Sequence, residues 1–247
     1  EQARYFAMLA LGKIGGDFNR NELLKLLAKG QKVTERPWAA IALGVLAHHK
    51  MEEAGRGSVV DDTIGRALHQ QFNQLKNPSA QAAMAIGLGL CKFKDAAPDL
   101  QDTLLKYKSR DELAGYICIG LSLMGADHAI EDIRSLVKTS IRRPALLQQA
   151  AIALGKMGDN QVATDLRQML TDENQNVAKM SAIASALGFI GDRRSIDPLQ
   201  KQLFDTNLTE LSRAFAAVAL GGVADDFRQW LEAAFAGFFG GHQQQGR

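Results

Sequence analysis

One phrase, alanine or glycine followed by leucine and then a small residue, returns along this chain at a nearly constant interval. It reads Ala10-Leu11-Gly12, Ala42-Leu43-Gly44, Gly87-Leu88-Gly89, Gly120-Leu121-Ser122, Ala153-Leu154-Gly155, Ala186-Leu187-Gly188 and Ala219-Leu220-Gly221. Measured on the last residue of each, the steps are 32, 45, 33, 33, 33 and 33. A period of this length marks stacked units, each unable to bury its apolar face alone.

The columns around the phrase carry physical sense. The small residue before each leucine lets a neighbouring helix approach closely. Two positions after the phrase come Ile14, Leu46, Cys91, Met124, Met157, Ile190 and Val223, and then often a glycine (Gly15, Gly125, Gly158, Gly191) suited to a left-handed stop. Asp17, Asp127, Asp159 and Asp192 follow, with the side chain that caps a second helix. Eleven residues after the phrase lie Leu23, Leu100, Ile133, Leu166 and Leu199. Four further on, one turn along the same face, lie Leu27, Leu104, Val137, Leu170 and Leu203.

Each unit therefore reads as an outer helix, a tight turn and an inner helix. The outer helices are predicted near 1–14, 35–47, 79–92, 111–124, 145–157, 175–190 and 209–223. The inner helices are predicted near 20–29, 62–76, 97–108, 128–139, 161–171, 194–204 and 226–236. Pro37, Pro78 and Pro144 fall near outer-helix starts, and Pro98 and Pro198 in the first turns of inner helices, where a missing N–H costs nothing. The expected fold is all-α, a right-handed alpha-alpha superhelix of about seven helix pairs over 1–237. Its units lie near 1–30, 35–76, 79–108, 111–140, 145–171, 175–205 and 209–237, with a disordered tail at 238–247.

The run Asp192-x-x-Ser195-Ile196-x-Pro198-Leu199, leading to a further Ala-Leu-Gly helix, resembles the bacterial HEAT-like repeats first described in phycobilin lyases. The resemblance covers nearly the whole chain and implies a HEAT-like solenoid. It leaves function open, because this repeat serves adaptors, lyases, glycosylases and hydroxylases alike. An arginine early in the outer helix (Arg4, Arg36, Arg213) gives way to Gln81, Ala114, Leu147 and Met180, so a ladder built on it is interrupted.

Chemistry is sparse. The HEAT-like hydroxylases take iron ligands from His-Glu pairs, and no such dipeptide occurs among His48, His49, His69, His128 and His242. His48-His49 with Glu52 or Glu53 reads as an exposed helix end, so no metal is expected. Cys91 and Cys118 lie in apolar helices with no adjacent base, as buried hydrophobes do, and are too few for a disulfide framework. No catalytic residue and no cofactor are expected.

Charge argues the same way. Twenty-nine basic against 27 acidic residues leave a net charge of +2, too balanced to make nucleic acid or an anionic membrane the default partner. No apolar run is long enough for a membrane span. The outward columns of the inner helices read Asn21, Arg66, Pro98, Glu131, Thr164, Asp197; Lys25, Gln70, Asp102, Ser135, Gln168, Lys201; and Leu24, His69, Gln101, Arg134, Arg167, Gln200. Mixed signs without interleaved aromatics do not make a phosphate track or a base-stacking surface.

The expected function is a non-enzymatic scaffold that binds a protein or peptide on its concave face. Arg134, Arg167, Gln168 and Lys201 are the candidate contacts, with Arg134 and Arg167 expected side by side. Twelve extra residues in the second unit fall around Ala47–Asp61, expected to protrude as a loop that adds His49 and Arg56. The alternatives are a HEAT-like lyase or DNA glycosylase, or a spacer in a larger protein. Tyr5, Phe6 and Met8 lie in a first helix that no preceding unit covers, which points to upstream repeats or self-association at that edge.

Overall fold

The computed structural model describes residues 2–29, 34–55, 61–140, 142–170 and 177–224. Among them are 13 α-helices and three short 3-10 turns, with no strand. The helices are Gln2–Ile14 (α1), Asp17–Lys29 (α2), Glu35–Ala54 (α3), Asp62–Gln74 (α4), Pro78–Leu90 (α5), Ala97–Lys106 (α6), Asp111–Met124 (α7), Ile130–Thr139 (α8), Pro144–Lys156 (α9), Asn160–Leu170 (α10), Val177–Ile190 (α11), Ile196–Phe204 (α12) and Glu210–Ala224 (α13). They alternate as the period predicts. The expected helix at 226–236 and the tail at 238–247 lie outside the described residues. The chain divides into two compact units, Glu1–Met157 and Gly158–Arg247.

In the first unit the odd-numbered helices pack side by side, backbone against backbone. A Cβ on Gly44 would stand 2.8 Å from the Cα of Gly87, and one on Gly89 would stand 2.7 Å from the carbonyl oxygen of Gly120. The small-residue columns are thus the seam between successive pairs, as the sequence predicts. The leucine column is sealed by it: Leu43, Leu88, Leu121 and Leu154 have no exposed surface, nor does Leu187 in the second unit. Leu11 and Leu220, in the first and last described pairs, are half-buried.

The central ones, α5 and α7, are not an exposed outer layer. Residues Ala80 to Leu90 of α5 and Leu113 to Ser122 of α7 are all buried. Both helices are apolar nearly all round, the composition of a buried helix. The amphipathic helices of the unit are α4, α6 and α8, which bury one stripe (Ile64, Leu68 and Phe72; Leu100 and Leu104; Ile133, Leu136 and Val137) and show the rest to solvent.

Turn chemistry follows the columns. Gly15, Gly125, Gly158 and Gly191 hold φ between +65° and +77° at the helix stop, and Lys92 fills the same position at +54°. In the second pair that position is Ala47, which has no such freedom, so α3 continues for two more turns until Gly55 at φ +70°. Residues 47–54 are therefore helix and not loop, a correction to the expected protrusion. Residues 56–60 lie outside the described residues. Of the aspartates expected as caps, Asp192 accepts from the backbone N–H of Arg194 (3.0 Å) and Asp159 from that of Gln161 (2.9 Å). Asp17 and Asp127 instead open α2 and the 3-10 turn Asp127–Ala129.

Alternate residues of the early-helix column also acquire a purpose. Gln81 donates to the carbonyl of Phe72 (3.3 Å) and Arg213 to that of Leu203 (3.0 Å), each satisfying the end of the preceding helix. Arg4 pairs with the buried Glu35 at 3.2 Å.

Candidate functional site

Two of the three surface columns stand open. Asn21, Arg66, Pro98, Glu131, Thr164 and Asp197 are all exposed, and so are Lys25, Gln70, Asp102, Ser135, Gln168 and Lys201. The third column is different. Leu24, His69, Gln101, Arg134 and Arg167 are half-buried, with only Gln200 exposed.

Three members of that column, His69, Gln101 and Arg167, join neighbours. His69 on α4 reaches Asp99 on α6 at 2.6 Å, and Asn73 donates to the same carboxylate at 2.9 Å. Hydrogen bonds from Asn73 and His69 hold the Asp99 carboxyl below the usual carboxylate range. One pair along, Gln101 on α6 donates to Asp132 on α8. A related tie joins α2 to the start of α4. The Arg20 guanidinium grips Asp61 with two bonds of 2.7 Å, while Asp61 caps α4 through the N–H groups of Thr63 and Ile64.

The second unit repeats the device. Arg167 donates to Asp192 at 2.8 Å and to Thr164 at 2.9 Å, and Arg194 lies 2.9 Å from the same Asp192. Burial pushes the Asp192 carboxyl up, but hydrogen bonds from Arg194 and Arg167 outweigh it and bring it down to about 2. Arg134, in the first unit, is bonded within its own helix to Glu131. Of the expected contacts, then, Gln168 and Lys201 are exposed, whereas Arg134 and Arg167 are bonded into the framework. Nothing in a single column distinguishes an open arginine from a tied one. The signal available in the sequence was the aspartate lying one period on, as Asp99 and Asp132 do for His69 and Gln101.

His49 is exposed and borders a recess of about 240 Å³ between the α1–α2 turn and the extended end of α3. Lys13, Gly15, Gly16, Arg20 and Lys50 share its wall. His48 sits 3.3 Å from Glu52, and His49 3.9 Å. Burial lowers the His48 pKa below the ordinary histidine value. Among the described residues no three acidic, histidine or cysteine side chains converge as metal ligands do. Arg56 lies outside the described residues. Burial raises both thiols, Cys91 to about 12 and Cys118 further, so neither is a nucleophile at neutral pH. No helix among the described residues is long and apolar enough to cross a membrane.

Comparison with known families places HEAT repeats at residues 103–186 and the PBS lyase HEAT-like repeat at 181–205. Comparison with curated proteins finds no match. The stretch matched, from α6 through α12, is the one in which the 33-residue step runs without interruption. The 33-residue period, helix pairs joined through small-residue seams and these two matches agree: residues 103–205 are HEAT-like repeats.

Proposed function

We propose that the chain is a non-enzymatic scaffold that binds a protein or peptide along the exposed face of its amphipathic helices. HEAT repeats are generally scaffolds, and one observation supports that reading here. The two open columns are exposed at every position from α2 to α12, while His69, Gln101 and Arg167 of the third column tie one helix pair to the next. Within each unit this leaves a polar surface of mixed character braced by side-chain ties, which lowers the ordering cost of association. Gln70, Asp102 and Ser135 lie on this face in the first unit, and Gln168 and Lys201 in the second.

Site-specific photo-crosslinking tests the proposal. The crosslinker is placed at Gln70, Asp102 or Ser135 and, as a control, at the exposed Ala178 on α11. Discrete adducts at the first three and none at Ala178 are expected. Equal labelling at all four positions would sink the reading.

The rival is an enzyme of the lyase or glycosylase kind, whose foothold would be the recess beside His49. Its checks are absorbance of a bound chromophore, metal content and DNA affinity of the purified chain. Any of these, lost on substituting His49 or Lys50, would favour it over the scaffold. Self-association through the α1 edge is a further reading. Tyr5 stacks on Trp38 at 5.0 Å and Met8 is buried, but Phe6, Ile14 and Phe18 are exposed.

A further inference from the structure

The turns of the first unit fall on two rims of opposite character. One rim carries the turns that lead into α2, α4, α6 and α8, and among the described residues is rich in acid: Asp17, Glu52, Glu53, Asp61, Asp62, Asp95, Asp99, Asp127, Glu131 and Asp132, against Lys13, Lys50, Lys92 and Lys94. The other rim carries the turns that lead into α3, α5, α7 and α9, and is basic. Among the described residues its cations are Lys29, Arg36, Lys76, Lys106, Lys108, Arg110, Lys138, Arg142 and Arg143. Among the described residues its acids are Glu35, which is buried against Arg4, Asp111 and Glu112.

Helix dipoles account for part of this. Lys29, Lys106 and Lys138 lie in the last turns of α2, α6 and α8, where a cation is favoured. They do not account for Lys108, Arg110, Arg142 and Arg143, which stand just before α7 and α9, where the positive end of the helix disfavours them. Arg143 has a structural task. It donates to the carbonyl of Lys108 (2.7 Å), to Asp111 (3.0 Å) and to Ser140 (3.0 Å), binding the two turns into one surface and taking up the charge of Asp111. Lys106 and Arg110 lie over the ring of Tyr107, at 5.3 and 4.9 Å from its centroid. Lys108 and Arg142 are exposed and have no acceptor among the described residues.

From this we infer that the joined turns, residues 106–110 with 138–140, 142 and 143, form a docking site for an acidic segment of a partner protein. The inference goes beyond the scaffold reading, since it concerns a rim and not the helix face, and it rests on that reading only for the partner being a protein. Uncompensated cations held at helix N-termini cost stability and supply a reason to exist only when an anion arrives. Guanidinium groups on the rim match carboxylates in fork geometry. Nucleic acid fits less well. Tyr107 already carries Lys106 and Arg110 against its ring, and the two turns offer no second aromatic among the described residues, so bases have no stacking platform. Asp111 and Glu112 interrupt the rim where a phosphate backbone would need continuity.

The probe is a fluorescein-labelled octaglutamate peptide, followed by anisotropy against the whole chain at low and at physiological salt. A labelled oligothymidine of equal charge is run beside it. Binding of the peptide, weakening with salt, is expected, with roughly tenfold loss in the double variant Lys108→Glu/Arg142→Glu. Lys94→Glu, exposed on the opposite rim, should change affinity less than about twofold. Both rim side chains are exposed and unbonded, and unchanged melting of the variant confirms that it folds. No peptide binding at low salt, or binding indifferent to the double reversal, overturns the inference. Tighter binding of the oligothymidine through the same two residues overturns it in favour of nucleic acid. The crosslinking test on α4, α6 and α8 can succeed while this fails, so the two readings are separable.

Discussion

Gly89→Ala is a small change with a large expected effect, because Gly89 lies on the seam where α5 meets α7. A Cβ there would stand 2.7 Å from the carbonyl oxygen of Gly120, 2.9 Å from its Cα and 2.9 Å from the Cβ of Leu123. A relaxed carbon–oxygen contact is about 3.3 Å or longer, so the helices must part by about 0.6 Å. Both are buried nearly all round and have little room to retreat. Overpacking of this kind costs about 1–3 kcal/mol, against up to about 1 kcal/mol gained from alanine's better helix propensity. The net expectation is a loss of about 1–2 kcal/mol. Gly221 sits in the same column on α13, yet a Cβ there meets nothing within 4 Å. Gly221→Ala should therefore stabilise, by about 0.5–1 kcal/mol. Urea unfolding followed by circular dichroism reads both as shifts of the midpoint in opposite directions. If Gly89→Ala is as stable as the parent, or Gly221→Ala is less stable, the seam is not limited by backbone approach and the reasoning fails.

Leu154→Ala and Leu187→Ala each empty a site with no exposed surface and should each cost about 2–5 kcal/mol in the same assay; a loss under about 0.5 kcal/mol would contradict the burial. The Asp192 carboxyl titrates near 2 in the fold against an ordinary value of 3.8, so its contribution is present above about pH 4 and lost as pH falls through 2. Asp192→Asn should thus cost about 1 kcal/mol at pH 7 once solvent screening is allowed for, with the difference from the parent closing between pH 4 and pH 2 in acid titrations. Cys91 and Cys118, both buried with raised pKa values, should resist a thiol reagent at pH 8 in the native protein and react on unfolding; fast labelling of the native chain would show a cavity or opening that the fold lacks.

Much of the architecture was legible in the residues. The leucine column, the small residues beside it and the glycine stops predict the helix pairs closely, because helix periodicity and left-handed stops are local properties. Even the longer α3 was written there. Ala47 stands where five other pairs have a glycine or Lys92, and the next glycine is Gly55. Gly55 and Gly57 signal a loop in the sequence, but without a stop at Ala47 the helix runs on to Ala54.

Which surface each helix shows was decided only by packing. Alanine-rich α5 and α7, with Gly115 and Gly120, are shielded on all sides because these small residues let neighbours close over them. The same composition in isolation reads equally well as an outer layer. Likewise His69, Gln101 and Arg167 look like open polar residues until Asp99, Asp132 and Asp192, lying 25 to 31 residues away in sequence, arrive beside them. Spacing along the chain determines which face of a helix a side chain occupies. Whether that side chain meets solvent or a carboxylate depends on how one pair docks against the next, and the seam of small residues sets that distance.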